Sequence, residues 1–146
     1  MTALHPVQVS RPVSWGEMDT FGHLNNVHYF RYVEDARIAF LDSLNFFSSS
    51  LYSVILKNEC EYRRPVVYPD TLKTTCHITH VGQSSFSMQY DVWSEQQQCL
   101  VAQANSIIVL VDQETFRKQS IPLSMRSHLE NHLSQYMEEQ SHDHEK

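Results

Sequence analysis

The amino-acid sequence predicts an α+β domain in which five antiparallel strands pack against one long helix. An early stretch repeats apolar residues at helical spacing, a later run alternates apolar and polar residues, and a third run is continuously apolar. These patterns are typical of an amphipathic helix, a half-buried strand and a strand buried on both faces. A helix and a sheet that each have one apolar side bury those sides against each other.

The length of 146 residues suits one domain with a single core. We expect that domain to span residues 1–140. A polar tail follows at residues 141–146, and we expect it to be disordered. No repeat and no Pro-rich or Gly/Ser-rich linker divides the chain.

The first strand and the long helix come early in the chain. The strand is expected over residues 7–15, where Pro12 favours an edge or a bend. The helix should begin near Asn25 and Asn26, because Asn is a good N-cap, and end near Asn45. Its predicted buried face comprises Tyr29, Val33, Ala36, Phe40 and Leu44, widened by Val27, Phe30, Ile38 and Leu41.

Four strand-like runs follow the helix, at residues 53–64, 70–81, 86–92 and 100–111. Short turns at residues 82–83 and 96–98 separate the later runs, so we expect a four-strand antiparallel meander. The apolar run 107–111 should be buried on both faces. A second helix is expected after Pro122, with Met125, Leu129, Leu133 and Tyr136 at helical spacing.

Composition excludes several classes of protein. The net charge is −6 and no basic cluster is longer than Arg63-Arg64, which argues against nucleic-acid binding. No apolar run approaches the roughly 20 residues that span a bilayer. Cys60, Cys76 and Cys99 are odd in number and widely spaced, which argues against a disulfide framework and a zinc site. Without a signal peptide pattern, we expect a cytoplasmic location.

One carboxylate, Asp19, lies in a polar, glycine-containing loop just before the helix. A helix start offers unpaired N–H groups and the positive end of the helix dipole, which can hold an anion or a polarised carbonyl. A carboxylate beside such a place can act as a nucleophile or a general base in acyl transfer. For a lone loop Asp, capping a turn is the commoner role.

The motif around Asp19 reads Glu17-x-Asp19-x-x-Gly22-His23-Leu24-Asn25-Asn26-x-x-Tyr29, followed by Glu34-x-Ala36-Arg37 and, downstream, by Tyr62-x-x-Pro65-x-x-x-x-Asp70. Over residues 9–129 the chain resembles the hotdog-fold acyl-CoA thioesterases of the 4-hydroxybenzoyl-CoA thioesterase type. Many relatives carry Asp where this chain has Glu17. The resemblance implies that the sheet wraps around the helix and that Asp19 is the catalytic carboxylate.

The resemblance also implies the reaction, which is hydrolysis of an acyl-CoA or acyl-carrier-protein thioester to a carboxylic acid and a thiol. It implies a homodimer or homotetramer with active sites at subunit interfaces. No metal or organic cofactor is expected, because attack on a thioester needs only a carboxylate, water and hydrogen-bond donors. A non-catalytic acyl-binding hotdog protein and a hotdog hydratase are the alternative functions.

Other residues of the motif are secondary candidates. His23 could act as a base, although holding the loop in shape is its simpler role. Asn25 could orient water or cap the helix. Gly22 and Asn26 belong to the region whose backbone N–H groups could stabilise an oxyanion. Glu34 could join the site or pair with Arg37, and Asp35 is expected to pair with Arg31.

Arg63 and Arg64 are candidates for binding the phosphates of coenzyme A. Arginine matches the geometry of phosphate groups with its forked donors. Exposed arginines at strand ends usually have no such specific role. His128 and His132 are four residues apart on the last helix, but no Glu or Cys completes a ligand set with them, so no metal site is predicted.

Overall fold

The computed structural model describes residues 6–144. Its strands are β1 (Gln8–Pro12), β2 (Leu51–Tyr62), β3 (Thr71–Val81), β4 (Ser85–Ser94) and β5 (Cys99–Asp112). The α-helices are α1 (Tyr29–Ser43) and α2 (Leu123–His144), and single helical turns lie at Trp15–Glu17, Asn26–His28 and Phe46–Ser48. The predicted fold class is confirmed, because one five-stranded antiparallel sheet packs around α1 in the hotdog arrangement, with α2 as a C-terminal helix.

The strand order is β1-β3-β4-β5-β2. The prediction of a four-strand meander is therefore wrong for β2, which pairs with β5 at the edge of the sheet. The connection over residues 63–70 contains Pro65 and Pro69, which lack the N–H group that a hairpin ladder needs, and it crosses to β3. The strands β3, β4 and β5 do form the expected meander.

Helix α1 begins as predicted beside Asn25. The Asn25 side chain accepts a hydrogen bond from the backbone N–H of Val27 at 3.2 Å, which caps the turn that leads into the helix. The buried residues of α1 are Tyr29, Tyr32, Val33, Ala36, Arg37, Phe40 and Leu41. The predicted face is too wide, because Val27 and Ile38 are exposed. Asn45 ends the helix with a left-handed backbone (φ 57°).

The core lies between α1 and the inner face of the sheet. Residues 108–111 of β5 are all buried as predicted, and Ile107 is half-buried. Helix α2 contacts α1 through the rings of His132 and Phe40, whose centroids are 5.0 Å apart. Helix α2 continues to His144, so the expected disorder is wrong for residues 141–144, and residues 145–146 lie outside the described range. Neither α-helix has the length and apolar character that crossing a membrane requires over residues 6–144.

Candidate active site

The residues before α1 form a loop, residues 14–26, which we call the site loop. Glu17 anchors it, since this carboxylate is 9% exposed and accepts hydrogen bonds from the Tyr32 hydroxyl at 2.6 Å and the Ser14 N–H at 2.8 Å. Burial raises the pKa of Glu17, but the hydrogen bonds from Tyr32 and Ser14 outweigh burial and hold that pKa below its ordinary value. The site loop is therefore fixed to the first turns of α1.

Sequence reasoning assigned no role to Glu17. The signal was present in the Ser14-x-x-Glu17 spacing, which is the capping-box pattern. A second contact ties β1 to α1 nearby, where Arg11 pairs with Asp35 at 2.6 Å and lies 4.8 Å from the centroid of the Tyr32 ring. The expected pairing of Asp35 with Arg31 is wrong, because the strand β1 brings a closer cation to this side of the helix.

The site loop also hydrogen-bonds to the connection over residues 63–70. The backbone N–H of Leu24 donates to the Val66 carbonyl at 2.8 Å. The N–H of Val13, just before the loop, donates to the Asp70 carbonyl at 2.9 Å. The Asp70 carboxylate is buried and accepts from the N–H groups of Thr71 and Gln96, so this second block of the motif holds backbone in place.

Asp19 is half-buried within the site loop. Its Oδ1 accepts hydrogen bonds from the backbone N–H groups of Phe21 (2.9 Å) and His23 (3.2 Å). The turn-capping role considered from sequence is thus real. Within residues 6–144 the other oxygen, Oδ2, has no hydrogen-bond donor. One oxygen therefore fixes the carboxylate while the second stays available.

Asp19 lines a cavity of about 220 Å³ that we call the polar pocket. The predicted site residues that line it with Asp19 are His23, Asn26, Arg63 and Arg64. Tyr29 and Tyr62 complete one wall and meet edge to face at a centroid distance of 4.9 Å. Burial raises the pKa of each of these two phenols to about 12, so both stay neutral near neutral pH.

Backbone donors at the start of α1 are almost all used. The N–H groups of Leu24 and Asn25 donate to carbonyls, and those of Val27 and His28 donate to Asn25. Among the residues that the structure describes, the N–H of Asn26 has no acceptor, and Asn26 lines the polar pocket. Asn26 therefore has a backbone N–H without an acceptor over residues 6–144 and lines the same pocket as Asp19, as the first N–H groups of a helix often lack partners.

Three predicted candidates lie outside the polar pocket. Asn25 uses its side chain to cap the helical turn. Gly22 donates its N–H to the Asp19 carbonyl at 3.0 Å and has φ +78°, a conformation that favours glycine. Glu34 is half-buried in α1, and its expected pairing with Arg37 is wrong. The Arg37 guanidinium turns inward instead, where it donates to the Tyr90 hydroxyl at 3.2 Å.

The remaining candidates differ in how free their side chains are. His23 shapes the loop through its backbone, since its carbonyl accepts from the Asp19 N–H at 2.7 Å, while its imidazole forms no hydrogen bond in the described part of the chain. Arg63 pairs with Glu61 (3.4 Å) and donates to Gln103 (3.1 Å). The exposed Arg64 guanidinium has no partner over residues 6–144, so it is the freer cation at this pocket.

Asp19 also lines a second cavity, of about 550 Å³. We call it the aromatic pocket, and its apolar lining comes from Trp15, Met18, Val67 and Tyr68. Sequence reasoning missed it, because Val67 and Tyr68 occupy unspecified positions of the second motif block, on the connection that crosses to β3. The described residues contain no group of three metal-ligating side chains, and the three cysteines are free thiols.

Comparisons with known proteins identify the family of the chain. A family model described as the thioesterase-like superfamily matches residues 13–129. The YsmA protein of Bacillus subtilis is 35% identical over 80 residues, 53% of this chain and 54% of that protein, so the match spans about half the length of this relative. The long-chain acyl-CoA thioesterase FadM of Escherichia coli is 26% identical over 117 residues, 77% of this chain and 89% of FadM.

A solved structure of a similar protein has the same fold as this chain. The PA2801 protein of Pseudomonas aeruginosa, described as a candidate thioesterase, superposes with a TM-score of 0.78 at 28% identity. The superposition covers 86% of this chain and 99% of that structure. With a family model that extends from the residue after β1 into α2, the chain belongs to the thioesterase-like superfamily.

Proposed function

We propose that the chain hydrolyses acyl-CoA thioesters to a carboxylic acid and coenzyme A, with Asp19 as the catalytic carboxylate. The observation that carries the proposal is that Asp19, whose Oδ2 accepts no hydrogen bond over residues 6–144, lines the polar pocket together with Asn26, whose backbone N–H has no acceptor there. A carboxylate acts on a carbonyl carbon, and a positioned donor stabilises the oxygen that becomes negative. Membership of the thioesterase-like superfamily and the similarity to FadM support this reaction.

Two routes use the same carboxylate. In the first, Oδ2 attacks the thioester carbon, the C–S bond breaks, the thiolate leaves, and water then hydrolyses the mixed anhydride. In the second, Asp19 takes a proton from a water molecule that attacks the thioester carbon directly, and the C–S bond then breaks as the thiolate leaves. Intact-protein mass after quenching in the first turnover separates them, because only the first route adds the mass of the acyl group.

The rest of the polar pocket supplies the supporting groups. The Asn26 N–H is our candidate oxyanion donor, since the neighbouring N–H groups already have acceptors. Arg64 is our candidate for the phosphates of coenzyme A, because its guanidinium is exposed and unpaired over residues 6–144. An acyl group on a carrier protein would present the same thioester, so a carrier-protein substrate belongs to the same proposal.

We also propose that the active protein is a homodimer or a homotetramer. The edge strand β2 has an unpaired backbone edge and exposes Tyr52, Val54 and Leu56, with Leu56 70% exposed. Such an edge is suited to pairing with another strand. Sedimentation equilibrium tests the assembly, and a monomer at all concentrations would contradict it.

Free cysteines fit a reducing compartment, so we also propose that the reaction takes place in the cytoplasm.

The test of function is release of free thiol from a panel of acyl-CoAs by Asp19→Asn. Asparagine keeps an oxygen that accepts the Phe21 and His23 N–H groups but cannot attack or take a proton, so we expect at least a 100-fold loss of kcat. The matched control is Asp112→Asn, because the Oδ1 of Asp112 also accepts two backbone N–H groups, those of Glu114 and Thr115, both at 2.9 Å. This control should keep full activity.

The outcomes also separate the alternative functions. Saturable acyl-CoA binding without thiol release by the unmodified protein would indicate a non-catalytic acyl-binding protein. Addition of water to an enoyl-CoA with the thioester left intact would indicate a hydratase. Equal thiol release by the unmodified protein and Asp19→Asn would remove Asp19 from the mechanism.

A further inference from the structure

The two pockets that meet at Asp19 differ in chemistry. The polar pocket carries Arg63 and Arg64, whereas the aromatic pocket has Asp19 as its charged side chain and no cation among its lining residues. The two arginines therefore favour phosphate groups in the polar pocket, and the residues that line the aromatic pocket offer phosphates no cation. The division of charge gives an anionic substrate one orientation across Asp19.

The aromatic pocket exposes large apolar side chains. The exposed fractions are 76% for Trp15, 53% for Val67 and 46% for Tyr68. Three exposed apolar side chains around one concave surface are typical of a place where an apolar group binds. A volume of about 550 Å³ lies within the usual range for small-molecule sites.

We propose, resting on the proposed function, that the aromatic pocket holds the acyl group of the substrate while the polar pocket holds its phosphate-bearing thiol portion. Asp19 lines both pockets, so a thioester that bridges them places its carbonyl carbon beside the carboxylate. Trp15 is then a specificity-determining residue, because its indole is more exposed than the side chains of Val67 and Tyr68 in the same pocket. The preferred substrates are thioesters with medium or long apolar acyl groups rather than acetyl.

Binding of thioether analogues tests this division without any hydrolysis. Titration calorimetry with S-dodecyl-CoA and S-ethyl-CoA compares a long and a short apolar group on the same thiol. For Trp15→Ala we expect Kd to rise at least about tenfold for S-dodecyl-CoA and to change less than about twofold for S-ethyl-CoA. The control is Phe116→Ala, an exposed aromatic residue (63%) outside both pockets.

A second variant tests the opposite end of the substrate. Arg64→Gln should weaken both CoA thioethers about three- to tenfold and leave S-dodecylpantetheine, which lacks the phosphates, within about twofold. The control is Arg31→Gln, an exposed arginine on α1 that lines neither pocket. Circular dichroism of each variant confirms that the fold is retained.

Each half of the proposal has its own result that would overturn it. An equal effect of Trp15→Ala on both CoA thioethers, or no effect on either, would overturn the acyl assignment. An equal effect of Arg64→Gln on S-dodecylpantetheine would overturn the phosphate assignment. Thioethers do not react, so failure of the Asp19→Asn turnover test would contradict the proposed function and leave these binding results to decide the pocket assignment.

Discussion

The site loop and the turn after β5 use the same local device at opposite ends of β2. In each, an aspartate Oδ1 accepts two backbone N–H groups of the residues that follow, from Phe21 and His23 in one and from Glu114 and Thr115 in the other. Each region also displays an exposed aromatic side chain. Leu51 at one end of β2 pairs with Asp112, and Tyr62 at the other end lines the polar pocket. The length of β2 separates these two residues by roughly 35 Å.

What differs is the surroundings. Asp112 holds a turn, and the backbone N–H groups of Thr115 and Glu114 keep its pKa below the ordinary value. Asp19 holds a turn and also lines two pockets. Capping a turn and serving chemistry are therefore compatible roles, because a carboxylate has two oxygens and the turn needs one. The buried carboxylate of Glu17 fixes the site loop to α1. Among the residues that the structure describes, no buried carboxylate fixes the turn at Asp112 in this way.

The largest effect on stability is expected from removing that anchor. Glu17→Ala leaves the buried Tyr32 hydroxyl and the Ser14 N–H without their acceptor, which should cost about 2–4 kcal/mol of unfolding free energy. For a domain of this size the melting temperature should fall by about 5–15 °C. Asp112→Ala should lower it far less, and an equal fall in both variants would show that the site loop is not specially anchored.

The sequence could predict the motif residues but not all of their neighbours. Asp19, His23 and Asn26 are close in the chain, so one loop and one helix start place them together. Arg63 and Arg64 were proposed from the match between arginine's forked donors and phosphate groups, and their position in the chain did not show that they would lie beside Asp19. The helical spacing around Tyr29 correctly predicted α1, because the local periodicity of apolar residues reflects which face of a helix is buried.

Features that depend on contacts between distant segments were missed. The crossing from β2 to β3 places Val67 and Tyr68 beside the site loop, and the Leu24–Val66 backbone hydrogen bond spans 42 residues of chain. Short-range turn signals do not report such pairing, so they suggested a β2–β3 neighbour relation that is wrong. Arg37 was misread for a similar reason, since its partner Tyr90 lies on β4.

An intermediate effect is expected in acid. The folded pKa of Glu17 is lowered, so its carboxylate contributes stability that is present above the ordinary value of 4.5 and is lost as pH falls through the folded value. Glu17→Gln keeps an acceptor for Tyr32 but cannot titrate. Melting temperatures between about pH 5 and pH 2 should therefore fall less steeply in Glu17→Gln than in the unmodified protein. Parallel curves would contradict the assignment of acid sensitivity to this carboxylate.

The smallest effect separates the two roles of Asp19. Asp19→Ala removes the acceptor for the Phe21 and His23 N–H groups, so it should lose about 1 kcal/mol of unfolding free energy, the usual value of a lost side-chain cap. Asp19→Asn retains an oxygen at the same place and should unfold at nearly the unmodified denaturant midpoint. Both variants should be equally inactive, because both lack the free Oδ2. If asparagine destabilised the fold as much as alanine, the turn would depend on the negative charge, and loss of activity in Asp19→Asn would then report a disturbed loop rather than a missing catalyst.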